Sequence, residues 1–294
     1  GTANDDFNTN TAAQTLTATL SAAIAADDIL QISVNDGSSW ANDDHNTAAG
    51  TGLSTSITLV AGGGEFHIRI TDDAGNSGTA SETAYTLDTT APTISFSSVD
   101  ISADTGTSSG DFNTKTAAQD LTATLSAAMA SDDILKVSVD AGNSWSTVTT
   151  DVTGSPDVNL DTAITLAGSS SIHLQITDDA GNAGTADTTS YTLDTTAPTI
   201  TYASVDISDD TGTAADDFNT KTAAQTLTAT LSAAIASDDI LQVSVNNGGA
   251  WTNDDHNTAA GTSLSTAMTL VAGGAEFHIR ITDDAGNSGT ASET

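Results

Sequence analysis

The sequence predicts an all-β chain of three tandem β-sandwiches. Two observations predict it: hydrophobic residues recur with period two, and one set of motifs returns about every 105 residues. Trp40, Trp145 and Trp251 lie 105 and 106 residues apart. The string Asp-Asp-Ala-Gly-Asn begins at Asp72, Asp178 and Asp283, 106 and 105 residues apart. Between repeats sits a joint, Leu87-Asp88-Thr89-Thr90-Ala91-Pro92-Thr93-Ile94, which returns unchanged from Leu193 to Ile200. Proline fixes its own φ, holds the preceding residue extended and removes a backbone donor, so each joint is expected to be short and stiff. Cutting there gives units 1–91, 92–197 and 198–294. Unit 1 is expected to lack a first strand and unit 3 a last one, so that the sixth strand of unit 3, Phe277 to Ile281, becomes an open edge and unit 3 the weakest of the three.

In the middle unit Ile94 and Phe96 mark a first strand, and Leu121, Ala123 and Leu125 alternate with threonines in a second. Leu135, Val137 and Val139 form a third, which Asp140-Ala141-Gly142 turns toward Trp145. The counterparts Asn35-Asp36-Gly37 and Asn246-Asn247-Gly248 tolerate the positive φ of a tight hairpin. Ile164 and Leu166, then Ile172, Leu174 and Ile176, then Tyr191 and Leu193 complete about seven strands. Seven short strands in about 100 residues fit an immunoglobulin-like sandwich, repeated end to end.

Charge narrows the function. Five Lys and Arg stand against 39 Asp and Glu, a formal net charge of -34. Such a surface repels polyanions, which argues against nucleic acid as a partner. Hydrophobic residues make up 37% and fall into strand-length runs, so the acidity belongs to a folded chain that uses cations rather than to disorder. There is no cysteine, no apolar run long enough to span a membrane, and no basic flank with an apolar stretch at the start. No nucleophile elbow or paired-histidine motif occurs, and the acidic residues recur once per unit where an enzyme would gather a unique set; the chain is read as non-enzymatic.

The acidic clusters carry the chemistry. Just past each joint come Val99-Asp100-Ile101-Ser102-Ala103-Asp104-Thr105-Gly106 and Val205-Asp206-Ile207-Ser208-Asp209-Asp210-Thr211-Gly212. Asp, Asn and backbone carbonyls are hard oxygen ligands that suit Ca²⁺ far better than Zn²⁺. The expected ligands are Asp194 with Asp206 and Asp210, joined by Asp178 or Asp179, and correspondingly Asp88, Asp100, Asp104 and Asp72. His67, His173 and His278 alternate with the buried row and read as surface residues. The tryptophans read as closing the ends of the cores, with sugar stacking as the rival, and Asp43-Asp44-His45 reads as solvent-facing loop.

Together, Asp-Thr-Thr-Ala-Pro, Val-Asp-Ile-Ser-x-Asp-Thr-Gly with Asp-Phe-Asn-Thr after it (Asp111 to Thr114, Asp217 to Thr220), the hairpin ending in Trp, and Ile-Thr-Asp-Asp-Ala-Gly-Asn resemble the bacterial immunoglobulin-like repeats of giant repeats-in-toxin-type biofilm adhesins. The resemblance covers the whole chain and implies an extender region at the bacterial cell surface, secreted and stiffened by calcium between repeats. Its partners would be its own neighbouring repeats and calcium ions, with the adhesion target bound elsewhere in a longer protein.

Overall fold

The computed structural model describes residues 6–43, 50–148, 152–154, 157–214, 217–254 and 261–292. In unit 1 the strands are β1 (Asn8–Thr9), β2 (Ala13–Thr19), β3 (Ile29–Ser33), β4 (Ala41–Asn42), β5 (Gly52–Thr58), β6 (Gly64–Thr71) and β7 (Ser77–Leu87). Unit 2 holds β8 (Phe96–Ile101), β9 (Asn113–Thr114), β10 (Ala118–Leu125), β11 (Ile134–Ser138), β12 (Ser146–Val148), β13 (Val152–Gly154), β14 (Asp157–Thr165), β15 (Ser170–Thr177) and β16 (Asp187–Leu193). Unit 3 holds β17 (Tyr202–Ile207), β18 (Ala224–Leu231), β19 (Ile240–Ser244), β20 (Thr252–Asn253), β21 (Ser263–Thr269), β22 (His278–Thr282) and β23 (Ser288–Ser292). No helix among the described residues is long and apolar enough to cross a membrane.

Each unit is a sandwich of two sheets. In unit 2 the orders are β12-β11-β15-β16-β9 and β13-β14-β10-β8. Alternation puts Leu121, Ala123 and Leu125 of β10 and Leu160 and Ile164 of β14 on one inner face, against Leu135, Val137, Ile172, Leu174 and Ile176 of the other sheet; all are buried. Tyr191 ties the layers together: its hydroxyl donates to the Val139 carbonyl (2.7 Å) and accepts from the Ala167 amide (3.4 Å). The short strand β9, which alternation does not reveal, pairs in parallel with β16, Asn113 opposite Thr192 and Thr114 opposite Leu193.

Unit 1 repeats this plan with β1-β7-β6-β3-β4 on one side and only β2-β5 on the other. Among the described residues no strand takes the place of β8, and Leu16 is half-buried where its counterpart Leu121, paired with Ile101, is fully buried. The unit 1 core is split into two small clusters, around Leu30, Ile32 and Leu53 and around Leu59, Tyr85 and Leu87.

Unit 3 departs from expectation. Its sixth strand is not an open edge, because β22 pairs with β23 from His278 opposite Ser292 to Thr282 opposite Ser288. In unit 1 the seventh strand, β7, starts directly after the Asp-Asp-Ala-Gly-Asn loop, and β23 starts at the same place, so unit 3 contains its first part. The place that Tyr191 fills in unit 2 is a groove of about 590 Å³ lined by Ile207, Phe218, Val245, Leu270 and Phe277. The core is nevertheless continuous over eleven buried residues from Ile200 to Ile281. By burial the smaller and more divided core is that of unit 1, not of unit 3.

Candidate functional site

The joints are built by a loop that reaches backward. In Asp283-Asp284-Ala285-Gly286-Asn287 the first aspartate locks the loop: its Oδ1 accepts from the Asn287 amide (2.7 Å) and its Oδ2 from Asn287 Nδ2 (3.0 Å). Asp72 and Asp178 do the same for Asn76 and Asn182. Those bonds from Asn76 hold the Asp72 carboxyl below its ordinary range. Glycine at the fourth position takes positive φ, +87, +91 and +88° in the three copies, a conformation side chains resist.

Locked in this way, the rest of the loop faces the preceding unit. At the second joint, Thr105 Oγ1 donates to the Ala285 carbonyl (2.7 Å), Thr107 Oγ1 to Asp284 Oδ1 (2.8 Å), Asn113 Nδ2 to Asp284 Oδ2 (2.5 Å) and Lys115 Nζ to the Gly286 carbonyl (2.6 Å). Asn287 Nδ2 donates to the carbonyl of Asp194 (2.8 Å), fixing the joint itself. At the first joint Asn182 Nδ2 donates to the Asp88 carbonyl (2.9 Å), and Asn8 Nδ2 meets Asp179 Oδ2. Glycines allow the close approach: a Cβ on Gly289 would stand 1.7 Å from the Pro198 carbonyl oxygen, and one on Gly184 2.7 Å from that of Pro92.

The expected ligands are regrouped. Asp194 and Asp88 are half-buried at the joints, and Asp178 belongs to the first joint, with Asp88, not to the second. Asp206 and Asp210 do not join Asp194. The chain leaves the joint along β17, and six extended residues carry it about 20 Å toward the other end of the unit. Asp104, the counterpart of Asp210, accordingly belongs to the second joint, beside Thr105. Its Oδ2 accepts from the Phe112 amide (3.1 Å), as Asp210 Oδ2 does from Phe218 (2.9 Å). Asp100 and Asp206 are exposed and accept from the next residue's amide. Asp72 is exposed.

Two features suit a cation. Asp104 Oδ1 and Asn8 Oδ1 are shut off from solvent with no hydrogen-bond partner, a costly state that a bound cation relieves. Asn113 Nδ2 faces Asp284 Oδ2 across the joint; the two ends of an amide are isosteric, and turned over Asn113 presents a second hard oxygen there. Sequence reasoning missed Asp133 and Asp239. Burial raises the Asp239 carboxyl, and the charges of Asp238, Asp283 and Asp284 raise it further. Asp133 is raised by burial and by Asp132 and Asp178. Their signal in the sequence was the pair Asp-Asp recurring at 132 and 238.

The tryptophans do not close the cores. Trp145 is 36% exposed, and Trp40 and Trp251 are half-buried. Each ring stands edge-on to a histidine, and Arg69 and Arg280 lie over Trp40 and Trp251 at 4.2 and 4.4 Å. Asp43 is buried rather than solvent-facing, while Asp44 and His45 lie outside the described residues.

No protein-family model and no curated protein matches the chain. Among solved structures it aligns over 98% of its length with 91% of a chain from a 1.5-MDa bacterial ice-binding adhesin, at 17% identity and a TM-score of 0.33. It aligns over 96% with 70% of a tetra-tandem repeat in the extending region of a large adhesion protein, at 18% identity and 0.26. The FN1–FN3 domains of chicken CNTN1 align with 97% of it at 13% identity and 0.33. Likenesses this distant say nothing of function, and the tandem β-sandwich architecture stands on the chain's own strands.

Proposed function

We propose that the chain is a spacer from a large, secreted bacterial surface adhesin, stiffened by calcium at the joints between its sandwiches. The observation that carries this reading is the buried, unpartnered Oδ1 of Asp104 at the joint where Asp284 of the next unit meets Asn113. Among the described residues no three carboxylates at a joint converge within 4.8 Å, so the ion there would draw on Asp104, Asp284, the side-chain oxygen of Asn113 and backbone carbonyls, a mixed set that Ca²⁺ accepts in 6 to 8 positions. Carboxylates about 4 Å apart repel by about 1 kcal/mol per pair even at the dielectric of water, and by more once water is excluded. A divalent ion reverses that sign and bridges the end of one unit to the start of the next.

The glycan-binding alternative loses support from the tryptophans of units 1 and 3, where a guanidinium lies over one face of each ring and competes with a stacking sugar. Solution scattering tests the spacer reading. A rod profile in calcium that bends in chelator is expected; the same profile in both conditions contradicts calcium stiffening.

A further inference from the structure

We propose that Asp36, Glu65 and His67 form a site for a divalent transition metal of the zinc class in unit 1, separate from the joints. The ligating atoms of all three lie within 4.8 Å of one another, the one such group among the described residues. Period two puts Glu65 and His67 on the same face of β6. Asp36 comes from the tight turn after β3, in a left-handed conformation (φ 57°), and its Oδ1 accepts from the Glu65 amide (2.7 Å), which pins the turn against the strand.

The histidine argues for a metal. Nε2 of His67 is closed to solvent and has no hydrogen-bond partner, although Glu65 Oε2 is only 3.5 Å away. That separation is within ion-pair range, but no hydrogen bond is made across it. It matches the spacing of about 3.4 Å between two ligands each 2.0–2.1 Å from a tetrahedral ion. Trp40 holds the ring by an edge contact, centroids 6.4 Å apart, and Arg69, two residues along the same face, is occupied by Gln31 Oε1 and the Trp40 ring. One imidazole with two carboxylates suits zinc, cobalt or nickel, whereas Ca²⁺ takes oxygen alone. Three protein ligands leave a fourth position open to water.

The other units are graded controls. In unit 3, His278 Nε2 is likewise unpartnered and 3.4 Å from Glu276 Oε2, but Asn247 replaces Asp36 and holds the Glu276 amide in the same way (2.7 Å). In unit 2, Ala141 and Ser171 replace both carboxylates, and His173 Nε2 bonds Ser171 Oγ (3.0 Å).

The test titrates the full chain, with its joints saturated in calcium, with Zn²⁺ by calorimetry and with Co²⁺ by visible absorption. One equivalent with a tetrahedral cobalt spectrum is expected for the wild type, none for His67→Ala or Asp36→Asn, and two for Asn247→Asp. Asp36→Asn copies the unit 3 turn and so keeps the fold, which circular dichroism checks. Zinc uptake that persists in His67→Ala, the absence of a saturable equivalent in the wild type, or a single equivalent in Asn247→Asp would overturn the proposal.

Discussion

The loop Asp72–Asn76 in unit 1 and the loop Asp283–Asn287 in unit 3 are the same five residues in two surroundings. Both are locked internally by the same aspartate-asparagine bonds. In unit 1 the loop is exposed throughout, and Gly75 and Gly78 have nothing within 4 Å of where a Cβ would sit. In unit 3, Ala285 is only 4% exposed, Asn287 holds the Asp194 carbonyl, and Gly289, the counterpart of Gly78, lies against Pro198. The comparison separates two kinds of constraint within one motif. Asp72 and Asp283 are required by the loop itself; the alanine, the second aspartate and the glycine beyond are explained only by a neighbour.

The same contrast holds in the cores and gives the largest predicted effect. Leu121→Ala in unit 2 empties a fully buried position and is expected to cost about 2–5 kcal/mol. Leu16→Ala, at the equivalent half-buried site, should cost clearly less. Denaturant melts of the two variants, with hydrogen exchange to assign each transition to a unit, check this. Equal losses would mean that the cores are equivalent after all. At the joint, Gly289→Ala forces a methyl onto a backbone carbonyl and should weaken the docking of unit 3 by about 1–3 kcal/mol. Gly78→Ala meets open space and should be neutral or slightly stabilising. Asn287→Ala removes the bond to the Asp194 carbonyl, which has no counterpart at Asn76, a difference of about 1 kcal/mol in joint stability. Limited proteolysis of the joint reads both comparisons.

Much of this was legible in the sequence, and the parts that were not share a cause. Period-two alternation located β10, β11 and β15, because those strands have one face in the core. It missed β9, two residues long and paired at its edge with β16, and it missed β23, because Ser-Gly-Thr-Ala-Ser carries no hydrophobic signal. Composition pointed to joints rich in aspartate, but the grouping of Asp194 with Asp206 followed nearness in sequence. A strand lies between them, and it delivers Asp206 and Asp210 toward the opposite end of the unit. The residue that crosses the joint, Asp284, comes from the next unit's sixth loop, 171 residues after its partner Asn113, and only topology brings the two together. The tryptophans were misplaced because periodicity assigns faces to strands but says little about a residue just past a hairpin.

The smallest predicted effect distinguishes unit 2 from its neighbours by pH. Asp140 accepts from the hydroxyls of Ser144 and Ser138 and from the Ser144 amide, which lower its carboxyl to about 2. A carboxyl depressed by folding contributes stability that is present above its unfolded value, 3.8, and is lost as pH falls through about 2. Asn35 and Asn246 hold the same turn position in the other units and do not titrate. Acid melts between pH 4 and 2 should therefore loosen this hairpin in unit 2 and not its counterparts in units 1 and 3, and Asp140→Asn should abolish that dependence.

Calorimetric titration with calcium tests the central claim most directly, comparing the wild type with the double variant Asp104→Asn/Asp284→Asn at the second joint and with Asp73→Asn, the counterpart of Asp284 on the undocked loop. The joint mechanism predicts that the double variant loses the second joint's share of bound calcium, along with the melting-temperature rise it confers; at 100 times its dissociation constant a single ion stabilises by about 2.7 kcal/mol. Asp73→Asn should bind like the wild type. Calcium uptake and melting unchanged in the double variant would contradict the account and leave the joints held by packing and hydrogen bonds alone.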